Sequence, residues 1–324
     1  MADPEIDSKY RPDKFSKRHH YLPIFYLKGF TNSEGTFYVY DKITDRILEK
    51  QKPDSKYFEK HLNNYKFDGE IKFTLEEPYF TPKDTKTAPL FAKIRKDGFD
   101  PDSLTSLEKF ELMAFLMSLY WRLPGTNAKA VELMKKEGVS NRYLGFFKEG
   151  KQLTDEELPD ICNKFLNDEQ SQRLYKTIIP IADGAMEELY KLHDEFHLYT
   201  MFPTADPLVV GDEPFLVKND NFSLDSLLGE LVFPLSSSRL LILAPKAPRF
   251  LDVTLTTYTN LSVLHQARRY ISCGSKEYLI KLVAYYETIK SINMTEKLLE
   301  LTFSTFHSQS KFDNWEEFSK SFQK

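Results

Sequence analysis

The chain has 324 residues, 41% of them hydrophobic and 14% aromatic, and its 44 Lys and Arg stand against 48 Asp and Glu for a formal charge of −4. That composition supplies a sizeable core and excludes an intrinsically disordered chain, while so small a net charge excludes a global field that gathers nucleic acid or membrane. Any anion site must therefore be a local basic patch, and two cysteines, Cys162 and Cys273, exclude a disulfide framework and fit a reducing compartment.

The first fifteen residues, MADPEIDSKYRPDKF, are polar where a signal peptide needs an apolar centre, and are expected to form a flexible arm. No later segment reaches the roughly 18 apolar residues of a membrane span. The expectation is a cytoplasmic protein without a membrane partner. From Pro23, PIFYLK is predicted as a short helix started by the proline and ended by Gly29 as a left-handed cap. TFYVYD alternates as a strand does, and RILEK pairs with it as a hairpin across DKITD. Residues 51 to 103 are mixed, with strand-like IKFTL.

Helical signals then dominate. Thr105 and Glu108 form a capping box ahead of a helix with Leu112, Phe115, Leu116 and Leu119 at helical spacing, ended by Pro124 and Gly125. A second box, Thr154 to Glu157, opens a helix that tolerates Pro159 near its start. The stretch from Asp168 to Phe196 is predicted as one long helix kinked at Pro180. Beyond about residue 198, HLYTMF, PLVVG, ELVFPL and RLLILAP are short apolar runs bounded by turn formers, which predicts buried strands. Helices follow in YTNLSVLHQARRYIS, KEYLIKLVAYYETIK and TEKLLELTF. Strands and helices in separate runs predict an α+β fold, a central mostly antiparallel sheet with a large helical layer over about 104 to 197, as one compact domain. Residues 16 to 290 form that domain, and 291 to 324 a C-terminal helical extension.

Four places have residues suited to chemistry. In KRHHYLP, His19 and His20 precede a helix N-terminus, whose field favours an anion and disfavours imidazolium. A neutral histidine there serves as base or ligand; the plainer alternative is that it caps the helix or stacks among Tyr21, Phe25 and Tyr26. In HDEFH, His193 and His197 share a helical face as in zinc-binding HExxH, but Asp194 occupies the glutamate position and a third ligand is missing. In VVGDEPF, Asp212 and Glu213 follow a strand, where a sheet fixes carboxylates beside a loop open to substrate; alternatively Asp212 bonds its own turn. In HQARRY, predicted as helix, Gln266 and Arg269 or His265 and Arg269 face one site, unless this is simply a solvated face. A Gly-rich phosphate loop and a GxSxG elbow are both missing, which argues against P-loop and serine hydrolase chemistry.

HHYLPIFYLKGF followed by FYVYDK resembles the opening of the bacterial domain-of-unknown-function family 4238, and WRLPG, PLVVGDEPF, VFPLSSSRLLIL and TNLSVLHQARRYI resemble its later motifs in family order. The resemblance covers roughly residues 16 to 275 and points to His19, His20, Tyr21, Pro23, Tyr26, Arg122, Asp212, Pro214, Pro234, Asn260 and Gln266. Glu213 is a departure, because the family more often has Asn there. If these polar residues converge, His19 or His20 oriented by Asp212 is a catalytic base, with Arg122, Glu213, Asn260, Gln266 and Arg269 binding substrate. That predicts a hydrolase or transferase acting on a phosphoester or a nucleic-acid-like anion, with room for a divalent metal whose identity is open. The alternative is a binding module in which His-His-Tyr and Asp-Glu-Pro are a structural clasp.

Overall fold

The computed structural model describes residues 17–67, 70–138, 147–148, 151–154, 156–181, 196–200, 206–218, 230–244, 246, 251–312 and 315–321. The N-terminal arm, His193 and most of the segment beyond Pro180 lie outside them.

Strand β1 (Arg18–His20) leads through Pro23 into the one-turn helix α1 (Ile24–Leu27). The predicted hairpin forms from β2 (Phe37–Asp41) and β3 (Arg46–Gln51), with Asp45 at φ 51 in the turn between them. Strand β4 (Phe58–Lys60) runs antiparallel to β1, placing His19 opposite Glu59. After a hairpin of β5 (Asn64–Phe67) and β6 (Glu70–Thr74) come helices α2 (Thr81–Ile94) and α3 (Ser106–Arg122). Both halves of the Thr105–Glu108 capping box are made at the start of α3. Helix α4 (Asn127–Glu137) follows the Pro124–Thr126 turn, and then come the short strands β7 (Phe147–Lys148) and β8 (Lys151–Gln152). Helices α5 (Leu158–Asn167) and α6 (Glu169–Ile178) continue the helical layer.

The second half supplies β9 (Phe196–Thr200), β10 (Val210–Gly211), β11 (Leu216–Val217), β12 (Leu231–Ser236), β13 (Arg239–Leu243) and β14 (Tyr270–Cys273). They build two antiparallel four-stranded sheets, β10–β14–β2–β3 and β11–β12–β13–β9, so the fold is α+β as the element pattern predicts. Every residue of β12 and β13 is buried because helices cover both faces of their sheet. Phe233, Leu235, Leu241 and Leu243 pack toward α1, α2 and α3 in one core cluster. Their neighbours Val232, Leu240 and Ile242 join a second cluster with the Val253–Gln266, Lys276–Ser291 and Leu298–Gln309 helices. The two-residue period of a strand thus splits one apolar run between two cores.

Four expectations are corrected. Gly29 lies in a 3-10 turn without a positive φ; its use is close approach, since a Cβ there would stand 3.0 Å from Ser236 Cβ. Helix α6 ends at Ile178 and a 3-10 turn through Pro180 follows, because proline cannot continue the hydrogen-bond ladder. His197 sits on β9 opposite Ile242, so the helical spacing that would let it share a metal with His193 is gone. The helix expected through HQARRY stops at Gln266, Ala267 is extended, and Tyr270 opens a strand paired on both sides.

Candidate functional site

Distant polar motif residues meet where β10, β14 and the Val253–Gln266 helix end. Asp212 extends the β10–β14 ladder by donating its N–H to Tyr270 O at 3.1 Å, which turns its carboxylate back over the following turn. That carboxylate accepts the backbone N–H groups of Arg268 and Arg269, both at 2.8 Å, and of Tyr270 at 3.2 Å. As an acceptor this carboxylate outcompetes the helix carbonyls for the N–H groups of residues 268 to 270, which is why the predicted helix breaks there. Gln266 donates its amide to the carbonyls of Glu213 and of Phe215, the latter at 3.0 Å. Asn260, fully buried, accepts from Val209 N–H and donates to Pro207 O and the Tyr278 hydroxyl. Lys42, the lysine of FYVYDK, caps the same helix by donating to the carbonyls of Leu264, His265 and Ala267. Arg269 pairs with Asp41 at 3.0 Å.

The N-terminal motif is held in the same manner. His19 is fully buried and its Nδ1 accepts the Asn63 N–H at 2.8 Å, which puts any ring proton of the neutral imidazole on Nε2. His20 is partly buried and its Nε2 lies 3.2 Å from Asp54 O; burial, reinforced by the Arg122 guanidinium, lowers its pKa and holds the ring neutral near pH 7. Arg122 is buried across from Phe80 and pairs with both carboxylate oxygens of Asp84, at 2.9 and 3.1 Å. Arg122 acts on His20 by charge and lines a small cavity with Asn63, whereas Asp212 lines a separate cleft. The Asp212 carboxylate accepts backbone donors, and among the described residues neither imidazole is hydrogen-bonded to it.

A cleft of about 360 Å³ opens beside this clasp, lined by Tyr21, Phe58 and Glu59, by Pro124 and Gly125, by Asp212 and Glu213, and by Arg268 to Tyr270. Four motifs far apart in the chain therefore share one wall. Glu213 and Arg268 stand out within it. The nearest charged partner of the Glu213 carboxylate among the described residues is Arg268 Nε at 3.9 Å, beyond hydrogen-bond reach. Burial, and then the Asp212 charge, raise the pKa of Glu213, while Arg268, Lys129 and Lys176 oppose that shift. Gly125 makes room for it, since a Cβ there would lie 1.9 Å from Glu213 Oε1. The guanidinium of Arg268 is largely exposed at the same rim. Glu213 is thus a partly buried carboxylate beside the exposed guanidinium of Arg268 in this wall, whereas the expected base was His19 or His20 oriented by Asp212, with Arg122 or Arg269 on the anion.

Sequence reasoning also passed over Lys176, a buried lysine of α6 whose Nζ donates to Leu123 O and Asn127 Oδ1, each at 2.6 Å. Burial, then the Arg173 charge, push its pKa down to about 7. One lysine in an amphipathic helix carries no signal of this, because only packing decides which face is covered. Gly125, by contrast, stood in plain view within WRLPG as a helix stop. Among the described residues, no group of three or more His, Cys, Asp or Glu is arranged to hold a metal ion, and no helix is long and apolar enough to cross a membrane.

The chain belongs to the family described as Protein of unknown function (DUF4238), whose model matches residues 18–277. No curated protein and no solved structure matches it.

Proposed function

We propose that this member of the DUF4238 family binds a small polar ligand bearing an anionic group in the cleft, with Arg268 meeting the anion and Glu213 meeting a hydroxyl or amine beside it. The observation that carries this reading is the division of labour among the motif residues. Asp212, Asn260, Gln266, Lys42 and His19 spend their polar groups on buried or backbone partners, whereas Glu213 and Arg268 keep theirs for the cleft. Groups of the first kind stabilise a fold, and groups of the second kind recognise ligands. His-His-Tyr and Asp-Glu-Pro then act as the clasp that builds the cleft wall.

A second reading, hydrolysis or transfer at a phosphoester, is favoured by the raised pKa of Glu213 in a partly desolvated site. In it Glu213 moves the proton and Arg268 offsets charge on the phosphoryl oxygens. Neutral His20 stands in the Arg122 neighbourhood and Asp212 positions the Arg268 backbone. One experiment separates these readings. Phosphate monoesters, nucleotides, short oligonucleotides and carboxylic acids are titrated by calorimetry against the wild type, Glu213→Gln and Arg268→Ala, with product release followed in parallel. Binding lost in Arg268→Ala without turnover in the wild type supports the binding module; turnover that disappears in Glu213→Gln supports the enzyme. Wild-type affinity retained in both variants removes the cleft from consideration.

A further inference from the structure

Behind the Leu123–Gly125 turn, helices α3 and α6 face each other with polar stripes at the same helical spacing. Helix α3 presents Ser118, Trp121 and Arg122, and α6 presents Arg173, Lys176 and Thr177, so residues three and four apart on each line one cavity. Its internal volume is about 20 Å³, room for a single water-sized guest and far too little for a phosphoester.

The hydrogen bonds around that space do not close. Arg122 spends one nitrogen on Asp84 and has Glu76 at 3.6 Å, yet its buried Nε has no hydrogen-bond partner among the described residues. Arg173 donates to Leu62 O and pairs with the exposed Glu169, and its buried Nε is likewise unpartnered among the described residues. The two hydrogen-bond acceptors of Lys176 are both neutral. Unmade bonds at buried guanidinium nitrogens and a buried ammonium bonded only to neutral acceptors are both costly, and one anion would relieve them together.

We infer that a small inorganic anion of halide size binds in this cavity, held by Arg122 Nε, Arg173 Nε and the Lys176 ammonium. It is a site distinct from the cleft. The Lys176 ammonium also holds Leu123 O, so the anion steadies the turn that carries Pro124 and Gly125 to the cleft wall. The groups acting on Lys176 are Arg173 on its own helix, Glu59 on β4 and Glu213 at the cleft; Arg122 lines the same cavity from α3. Because burial lowers the lysine's pKa to about 7, anion binding weakens as pH rises through that range and the ammonium is lost.

The test uses the full chain with sodium bromide against sodium gluconate at equal ionic strength. The expected result is a Tm rise of roughly 2–4 °C in bromide at pH 6 that shrinks by pH 8.5, and that is absent in Lys176→Met and reduced in Arg173→Gln. Crystals soaked in bromide should show an anomalous peak between the three nitrogens. An identical Tm in both salts, or a cavity holding only a water without anomalous signal, overturns the inference. Should Lys176→Met fail to fold, the wild-type bromide map and Arg173→Gln decide it alone.

Discussion

Asp212→Ala removes a carboxylate that accepts three consecutive backbone N–H groups, at 2.8, 2.8 and 3.2 Å. A hydrogen bond to a charged acceptor contributes about 1.5–3 kcal/mol net, but these three share one acceptor and do not add. Arg268 and Arg269 are exposed residues, so water replaces part of what is lost. The expected cost is about 3 kcal/mol, a Tm drop of roughly 4–5 °C. Asp212→Asn keeps one acceptor oxygen and should lose about half as much. Urea unfolding followed by far-UV circular dichroism and by tryptophan fluorescence measures both, with an unchanged m-value expected. If both variants stay within about 0.5 kcal/mol of wild type yet lose a cleft-dependent activity, Asp212 acts chemically and the clasp assignment fails.

Gly125→Ala should leave stability within about 1 kcal/mol, because the clashing Glu213 oxygen ends a flexible side chain, but it should shift that carboxylate and weaken cleft binding in calorimetry. Asn260→Ala strands a buried N–H, a carbonyl and a tyrosine hydroxyl, and denaturant unfolding should show a loss of about 2–4 kcal/mol. The folded-state pKa of Glu213 is raised, so the folded protein binds more protons than the unfolded chain and stability falls as pH rises through that window. Glu213→Gln should flatten this slope and raise stability at neutral pH in a pH series of melts. Lys176 has the opposite sign. Its folded pKa of about 7 lies below the unfolded value, so in halide-free buffer stability should climb from about pH 7 toward the unfolded lysine pKa near 10.4, and Lys176→Met should abolish the climb.

Local chemistry made much of the framework readable. The Thr105–Glu108 box, the FYVYD and RILEK hairpin and the proline after β1 are decided by neighbours a few residues apart, so the sequence states them directly. The apolar runs around Phe233 and Leu241 announced buried strands because a sheet covered on both faces has no polar side to alternate with. The motifs that line the cleft were legible as well, since Tyr21, Gly125, Glu213 and Arg268 all lie within stretches marked by Pro or Gly punctuation or by paired charges.

Roles within those motifs were not legible. Asp212 and Glu213 are adjacent and chemically alike, but the bend after the strand places one carboxylate on the backbone N–H groups of residues 268 to 270 and the other, partly buried, in the cleft wall. HQARRY has helical composition, yet a carboxylate 56 residues earlier in the chain catches the Arg268 N–H and that contact wins over propensity. Lys176 and Arg173 carry no mark of burial; they become a cationic cavity only because α6 rests on α3. Composition, spacing and turn chemistry determined most of the elements and where the family motifs lie. Long-range packing alone decided which side chains are committed to the fold and which are left facing a ligand, because commitment depends on partners that the linear order does not contain.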